Sequence, residues 1–584
     1  MPGMGSRGLS NGNPVIVAAF HSALFHGLLA VVVVAMVAIL IFLLLSGKVP
    51  HPLQGSWRGE PVGRRVLRLG FAVLWVVDGL LQVQPQMPIG LPTEVLQPSA
   101  ATSPGWVQHV VAFGAGLWEH QPIKAAAAAV WIQLGLGLWL LLVARGPWSR
   151  LGGAASAAWA LVVWSVGNGF GGIFAPGLSL LFGGPGSSLL YVAAGIVLAL
   201  PEGVFSSRRF VGGQARALGA FLVVMGILQA WPGRGTWMGN DAHGQPVGAI
   251  PAMSSAMAQT PQPHLLATAV ANFARAAGSA PVLFNGAAVL AMVGVGLGYL
   301  SLRPKAVRLA MVVGLTLAAL VWIFIEDLGL FGGLSTDPNT MPALALWLVA
   351  AAFALRYRAP VPEAPPRQSR LAAMVAAVGA ACVVAVGVLP ATVATAAGGT
   401  DPILATAQNG GPQAVNFAAL PFSLVDGAGH PVTMASLRGK VVAMTFLDPV
   451  CTTDCPLIAQ EFKASAAALG AEQSKVAFVA VAANPIYYQQ QAVAAFDAQE
   501  HLTTLPDWHF VTGSLAELRR LWLFYGVEVT APSAGSMAVH NDVTYLFDPS
   551  GRARVVLNTD PGSSAVLRSS FSALLDAQIG QLLR

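Results

Sequence analysis

Two cysteines, Cys451 and Cys455, stand four apart in the run Asp448-Pro449-Val450-Cys451-Thr452-Thr453-Asp454-Cys455-Pro456. An apolar stretch of strand length, 441–447, precedes them, and a stretch of helical character, 457–469, follows. The pair is therefore expected between a buried strand and a helix N-terminus. Pro456 would be the first helical residue, where its missing N–H leaves no bond unmade. At such an end the exposed N–H groups and the helix dipole favour negative charge, which lowers a thiol pKa and supplies thiolate for exchange or metal binding. The spacing also matters. Two intervening residues are the usual mark of a dedicated disulfide exchanger, whereas three can present both sulfurs to one metal ion and still close a disulfide. A bridge that only staples the loop, or two idle thiols, is the plain alternative.

Further elements are needed to hold such a pair. A second apolar strand at 476–483, a helix at 489–500, a strand at 508–511 and a helix at 515–525 alternate in order. A hairpin follows, with arms at 543–547 and 553–557 around the turn Asp548-Pro549-Ser550-Gly551, and a last helix is expected over 564–583. This order predicts an α/β thioredoxin-like domain over residues 413–584.

The rest of the chain is of another kind. Of 584 residues 55% are apolar and only 10% charged, too apolar for an ordinary soluble protein and too long for one domain. Apolar runs recur at 15–45, 66–83, 123–144, 152–173, 187–205, 212–231, 281–302, 307–326, 341–357 and 371–395. Each is long enough for a hydrocarbon core of about 30 Å, so a multi-pass α-helical bundle of about ten spans is expected. The first run is long for a signal peptide and has no small-residue cleavage site, so it is read as a spanning helix.

Lys and Arg fall on alternate loops: Lys48, Arg58, Arg64, Arg65 and Arg68; Arg145 and Arg150; Arg208, Arg209 and Arg216; Arg303, Lys305 and Arg308; Arg356, Arg358, Arg367 and Arg370. Those loops read as cytoplasmic. Both termini then lie outside a cell membrane, with the 413–584 domain extracytoplasmic, where cysteine pairs can be oxidised and respiratory enzymes receive copper. The net charge of +6 is dispersed in these clusters and forms no single basic face, which excludes nucleic acid as a partner and leaves the lipid bilayer.

The middle eight runs read as a duplication. Gly79-Leu80-Leu81-Gln82 before Pro85 is echoed by Gly226-Ile227-Leu228-Gln229 before Pro232, and Val163-Trp164 with Gly171 by Val321-Trp322 with Gly329. The expected segments are 1–65 (first span and cytoplasmic loop), 66–205 and 206–358 (two four-span repeats), 359–397 (linker and last span) and 413–584. The repeats resemble small four-helix membrane proteins of the DoxX type. Within the spans, Asp78 and the Glu326-Asp327 pair are the clearest polar groups, the pair being expected at a water-reachable outer end. His21 and His26 are five apart and do not share a helix face. Cys382 lies in an apolar run and reads as a buried thiol. The outer segment 237–264 carries Met238, His243, Met253, Met257 and His264, soft ligands suited to Cu(I), in a loop composition that also occurs without any metal.

The cysteine run, followed by His540-Asn541-Asp542-Val543-Thr544-Tyr545-Leu546-Phe547-Asp548-Pro549-Ser550-Gly551, resembles the Sco/SenC family, thioredoxin-fold proteins implicated in assembling the binuclear copper centre of cytochrome c oxidase. The resemblance implies copper held by Cys451, Cys455 and His540. It further implies as partners an oxidase subunit or another extracytoplasmic copper acceptor, and a thiol-disulfide reductant that keeps the redox pair Cys451 and Cys455 open. Where many members carry Asp-Pro after the second strand, this sequence has Ala483-Asn484-Pro485. Met537 is expected as a buried apolar side chain. The leading expectation is a membrane-bound copper metallochaperone. The rivals are a thiol-disulfide oxidoreductase, which needs the cysteines and not His540, and a membrane transporter with an accessory thioredoxin-like domain.

Overall fold

The computed structural model describes residues 13–46, 60–241, 244–260, 262–331, 333–357, 370–396, 401, 403–404, 411–530, 537–559 and 570–584. Lys48, Arg58, His243, Arg358, Arg367, most of the 396–411 boundary and the start of the expected last helix lie outside the described residues. The chain divides into two compact units, one centred on Gly399–Arg584 and the other on Ala23–Met87 with Leu91–Gly398.

The first unit is built on an eight-stranded mixed sheet. Its strands are β1 (Gln413–Ala418), β2 (Ser423–Asp426), β3 (Pro431–Thr433), β4 (Val441–Leu447), β5 (Val476–Ala482), β6 (Trp508–Thr512), β9 (Val543–Phe547) and β10 (Arg552–Asn558). A separate pair consists of β7 (Val529–Thr530) and β8 (Val539–His540). The sheet order is β1-β10-β9-β4-β5-β6-β2-β3, with β4, β5 and β6 parallel and the other neighbours antiparallel. Every residue of β4 and β5 is buried, as expected of parallel strands covered on both faces. Helices Asp454–Leu469 and Phe571–Leu582 pack together, and Phe462 meets the rings of Phe478, Trp508 and Phe571. This is a thioredoxin-like domain. The short strands β1, β2, β3, β7 and β8 are absent from the sequence reading because none has an apolar run long enough to announce it.

The second unit is helical. Among the described residues six helices are long and apolar enough to cross a membrane, at Val15–Ile41, Pro122–Leu142, Arg208–Ala230, Pro281–Ser301, Pro304–Phe324 and Met374–Thr392. Helices also occupy the other four expected runs, at Val62–Leu81, Pro147–Val162, Ser187–Ala199 and Thr340–Arg356. They are shorter or more polar. The 13 residues of Ser187–Ala199 rise only about 20 Å, because the apolar run ends at Pro201.

Three expectations change here. Arg64 and Arg68 are not loop residues: both lie inside helix Val62–Leu81 with no exposure. Each donates to Glu60, and together they donate to the carbonyls of Leu140, Leu141 and Leu198, which helix ends leave unpaired, and of Ala144 just past one such end. Glu326 and Asp327 are not open to water, being 7% and 1% exposed. Glu326 accepts from the N–H groups of Thr340 and Met341 and so caps the helix they begin. The long connections 84–122 and 232–280 are not loops throughout, since they hold helices Gly105–His120, Ala249–Ala258 and His264–Ser279. Cys382 is buried, as expected.

Local geometry recurs between the two halves of this unit. Helices Gly105–His120 and His264–Ser279 have 16 residues each, and both break at one non-helical residue, Gln121 (φ −138°, ψ 58°) or Ala280 (φ −136°, ψ 54°). Each break leads into a 21-residue helix with proline in its first turn. Trp164 Nε1 donates to Pro185 O and Trp322 Nε1 to Pro338 O, both at 2.9 Å. Gly171 (φ 61°) and Gly329 (φ 63°) adopt the left-handed conformation beside those prolines, where a Cβ would strike the backbone. Close helix approach also recurs: a Cβ on Gly137 would lie 2.9 Å from Ala72 O, and one on Gly296 2.6 Å from Gly219 O.

These approaches predict opposite signs for one substitution. Gly137→Ala and Gly296→Ala should each destabilise the chain by about 1–3 kcal/mol through overpacking. Gly294→Ala, whose Cβ meets nothing within 4 Å, should gain up to about 1 kcal/mol from helix propensity. Thermal unfolding midpoints of the detergent-solubilised variants check this.

Candidate metal and thiol site

β4 delivers the chain to the loop 448–453, and helix Asp454–Leu469 begins at its end. The helix starts earlier than expected, so Pro456 is its third residue and Cys455 its second. Cys455 is thus fixed in the first turn, 1% exposed, and its sulfur accepts from Asp448 N at 3.4 Å. Cys451, 9% exposed, sits in the loop, with its sulfur 3.5 Å from Thr453 Oγ.

His540 arrives from the other side of the fold. It ends β8, paired with Val529, and is held by its neighbour: Asn541 Oδ1 accepts from Glu528 N and Asn541 Nδ2 donates to Gly526 O. Its Nδ1 faces Asn541 O at 3.4 Å and Asp542 Oδ1 at 3.5 Å, which directs Nε2 at Cys455 Sγ, 3.5 Å away. Residues 85 apart in sequence are brought together in this way. Met537 joins the group. It is not buried as expected but 39% exposed, and its sulfur accepts from Thr452 N at 3.3 Å. Its place beside the loop follows from β8, a strand of two residues that the sequence does not announce.

Asp448 is the residue that sequence reasoning left without a role. It is fully buried. Oδ1 accepts from Val450 N and from Asn484 Nδ2, and Oδ2 from Ala538 N at 2.7 Å. One carboxyl therefore joins the cysteine loop, the turn after β5 and the segment leading to His540. Asn484 in turn accepts from Ile486 N and Tyr487 N. An aspartate at 484 would set two carboxyl groups against each other, whereas the amide gives Asp448 a donor. The signal was present in the sequence as a short polar side chain directly after a strand that is apolar but for Thr445.

The two thiols are unlike. Hydrogen bonding from the Cys455 thiol holds Cys451 down to about 5, against the opposing effect of burial, with Thr453 and the N–H groups of residues 453 and 455 adding to it. The same bond, burial and the Cys451 charge push Cys455 far up. Cys451 is the available thiolate and Cys455 the proton holder, an arrangement suited to attack by one and resolution by the other. The donor set of two sulfurs and an imidazole, with a thioether near, is also soft enough for copper. Among the described residues, however, no group of three or more His, Cys, Asp or Glu side chains is arranged to hold a metal ion. Joint ligation by all three residues requires the side chains to move.

Comparison with known proteins decides the domain's kinship. The SCO1/SenC family model matches residues 411–572. This segment is a SCO1/SenC domain. The SCO1 protein homolog of Bacillus subtilis (strain 168) is 26% identical over 140 residues, 24% of this chain and 72% of that protein. Bradyrhizobium japonicum ScoI, solved with copper bound, is 22% identical; the match covers 28% of this chain and 99% of that one, with a TM-score of 0.24. Yeast Sco1, also solved with copper bound, is 19% identical over 26% of this chain and 88% of that one, with a TM-score of 0.22. The SCO1/SenC domain thus occupies the C-terminal part of a chain whose larger part is helical.

Two outcomes follow for the SCO1/SenC domain. In the metal-free, reduced protein the alkylation rate of Cys451 by iodoacetamide should stay nearly flat from about pH 9 down to about pH 6.5, because a lowered pKa keeps the thiolate as pH falls, while an ordinary thiol near 8.5 loses about tenfold per unit. Peptide mass spectrometry should find Cys455 unmodified over the same range. Asp448→Ala should cost about 3 kcal/mol or more, since one buried and two half-buried donors lose their acceptor. Denaturant unfolding followed by tryptophan fluorescence measures it.

Proposed function

We propose that the SCO1/SenC domain is the working part of a membrane-bound copper metallochaperone. It binds copper through Cys451, Cys455 and His540 and passes it to an extracytoplasmic acceptor such as the binuclear copper centre of cytochrome c oxidase. The approach of His540 Nε2 to Cys455 Sγ at 3.5 Å carries this reading, because a metal site needs a ligand beyond the two sulfurs, whereas thiol exchange does not require the imidazole. Two thiolates and an imidazole form a soft site with open positions, from which copper can be handed on. Loading requires both cysteines reduced, which makes a thiol-disulfide reductant a partner.

The membrane reading supports delivery on the outer side. Ten spans, with the Lys and Arg loops cytoplasmic, leave the SCO1/SenC domain outside. The recurring helix breaks, tryptophan–proline bonds and glycine contacts support two related four-span units of the same orientation. We read the segments 1–65, 66–205, 206–358, 359–397 and 413–584 as the corresponding divisions.

A second reading is favoured by the unlike thiols: a thiol-disulfide oxidoreductase that reduces the acceptor's own cysteines, with Cys451 attacking and Cys455 resolving. Cu(I) titration of the reduced, detergent-solubilised full chain against a chromophoric chelator separates the two. Stoichiometric binding by the parent, weakened about 100-fold or more in both His540→Ala and Cys451→Ser/Cys455→Ser, is the expected result. Binding indifferent to His540, or none, moves the oxidoreductase reading to first place.

A further inference from the structure

Two cavities of nearly equal size lie in the helical unit, in matching places. One, of about 500 Å³, is walled by parts of helices Gly105–His120, Pro122–Leu142 and Pro147–Val162. The other, of about 490 Å³, is walled by parts of His264–Ser279, Pro281–Ser301 and Pro304–Phe324. Aligning the two 21-residue helices from their first residues sets Ala125, Ala128 and Ala129 of one wall opposite Phe284, Ala287 and Ala288 of the other.

Their polar groups differ. The same alignment sets Gln133 opposite Met292 and Ala126 opposite Asn285. Near the second cavity the buried amide of Gln229 is satisfied at both ends, accepting from Ser179 Oγ and donating to Asn285 Oδ1 at 2.8 Å. Thr316 is the one polar side chain in that cavity's wall. In the first half Gln82 matches Gln229, and alanine stands where Asn285 would satisfy it. Gln82 and Gln133 both line the first cavity, 5% and 4% exposed, and Oε1 of each has no hydrogen-bond partner. Asn168, Thr336 and Thr392 are the other amide and hydroxyl side chains in the wall, Trp118 and Trp159 add indole N–H groups, and none of the described lining residues is charged. On its outer side stand Phe113, Leu117 and Val162, apolar and 68%, 45% and 49% exposed.

Buried amide oxygens without partners are rare, and two of them in the wall of one ligand-sized apolar cavity call for an occupant that supplies what they lack. We infer that this cavity binds a neutral, lipid-soluble molecule whose hydroxyl or carbonyl head group hydrogen-bonds Gln82 and Gln133. The absence of charge in the wall selects against phosphate and carboxylate heads, which would be buried uncompensated. Rotation about its last side-chain bond lets each glutamine offer either oxygen or NH2, so a hydroxyl and a carbonyl are both served. The wall of the second cavity holds no amide: methionine stands for glutamine, and Gln229 and Asn285, whose own Nδ2 is buried without a partner, do not line it. Entry through Phe113, Leu117 and Val162 from the bilayer rests on the membrane reading above; the binding does not, and it is independent of copper at the SCO1/SenC domain.

Trp118 and Trp159 line the cavity and report on it. The detergent-solubilised full chain is titrated with ω-bromoundecanol, whose bromine quenches nearby indoles, with bromoundecane as the probe lacking a head group, and with a decyl benzoquinone as the carbonyl probe. The alcohol or the quinone should quench saturably and bind at least about tenfold tighter than bromoundecane, the worth of one or two hydrogen bonds. Gln133→Met, which installs the residue of the other half, and Gln82→Met should each weaken binding about tenfold. Trp118→Phe/Trp159→Phe should lose the saturable amplitude. Saturation by the alcohol alone points to a membrane alcohol, and by the quinone to a quinone; either supports the site. Equal affinity for bromoundecane, indifference to Gln133→Met, amplitude that survives the double tryptophan variant, or no saturable quenching overturns it. Should a glutamine variant fail to fold, the comparison of alcohol and bromoalkane on the parent chain decides.

Discussion

The cysteine site depends on one buried carboxyl. Asp448 ends the central strand with no exposure and spends both oxygens on other segments: the loop that carries Cys451, the turn at Asn484 and the approach to His540. A buried polar group of this kind is costly alone and rigid once satisfied, so these three segments are held in one relation or the domain is destabilised. The helix then starts where the loop leaves it, which puts Cys455 in the first turn and leaves Cys451 ahead of it.

The chemical difference between two identical side chains follows from that placement. Cys455 is shut in beneath β8, facing His540 and the N–H of Asp448, and keeps its proton. Cys451 lies in the loop, surrounded by donors, and gives its proton up. The same asymmetry serves a redox pair and a metal site, which is why a histidine held against Cys455 matters more to the choice of function than the cysteines themselves.

In the helical unit, recurring local geometry makes differences informative. Corresponding helix lengths, breaks and glycine contacts let the surroundings of Gln82 and Gln229 be compared directly. A structural role is met by the paired version, Gln229 with Ser179 and Asn285. The unpaired version, Gln82 with Gln133, carries no such benefit to the fold.

Much of this was legible in the residues. The apolar runs of β4 and β5, broken only by Thr445, the proline at the helix start and the turn at 548–551 determined the alternating core of a thioredoxin-like domain, because burial on both faces and turn chemistry are local properties. The candidate set of Cys451, Cys455 and His540 could be named from its surrounding motif. Short strands such as β7 and β8 were not, since two residues carry no periodicity, and with them went the position of Met537. Helices occupy the apolar runs, yet Arg64 and Arg68, read from the sequence as loop residues, lie inside a helix packing, because a long side chain's burial depends on carbonyls that arrive from distant helices. The sequence by itself determined which chemistry was available. Only the tertiary structure decided that Asp448 would organise it and which thiol would ionise, because those outcomes depend on donors brought within about 3 Å from segments far apart in the chain.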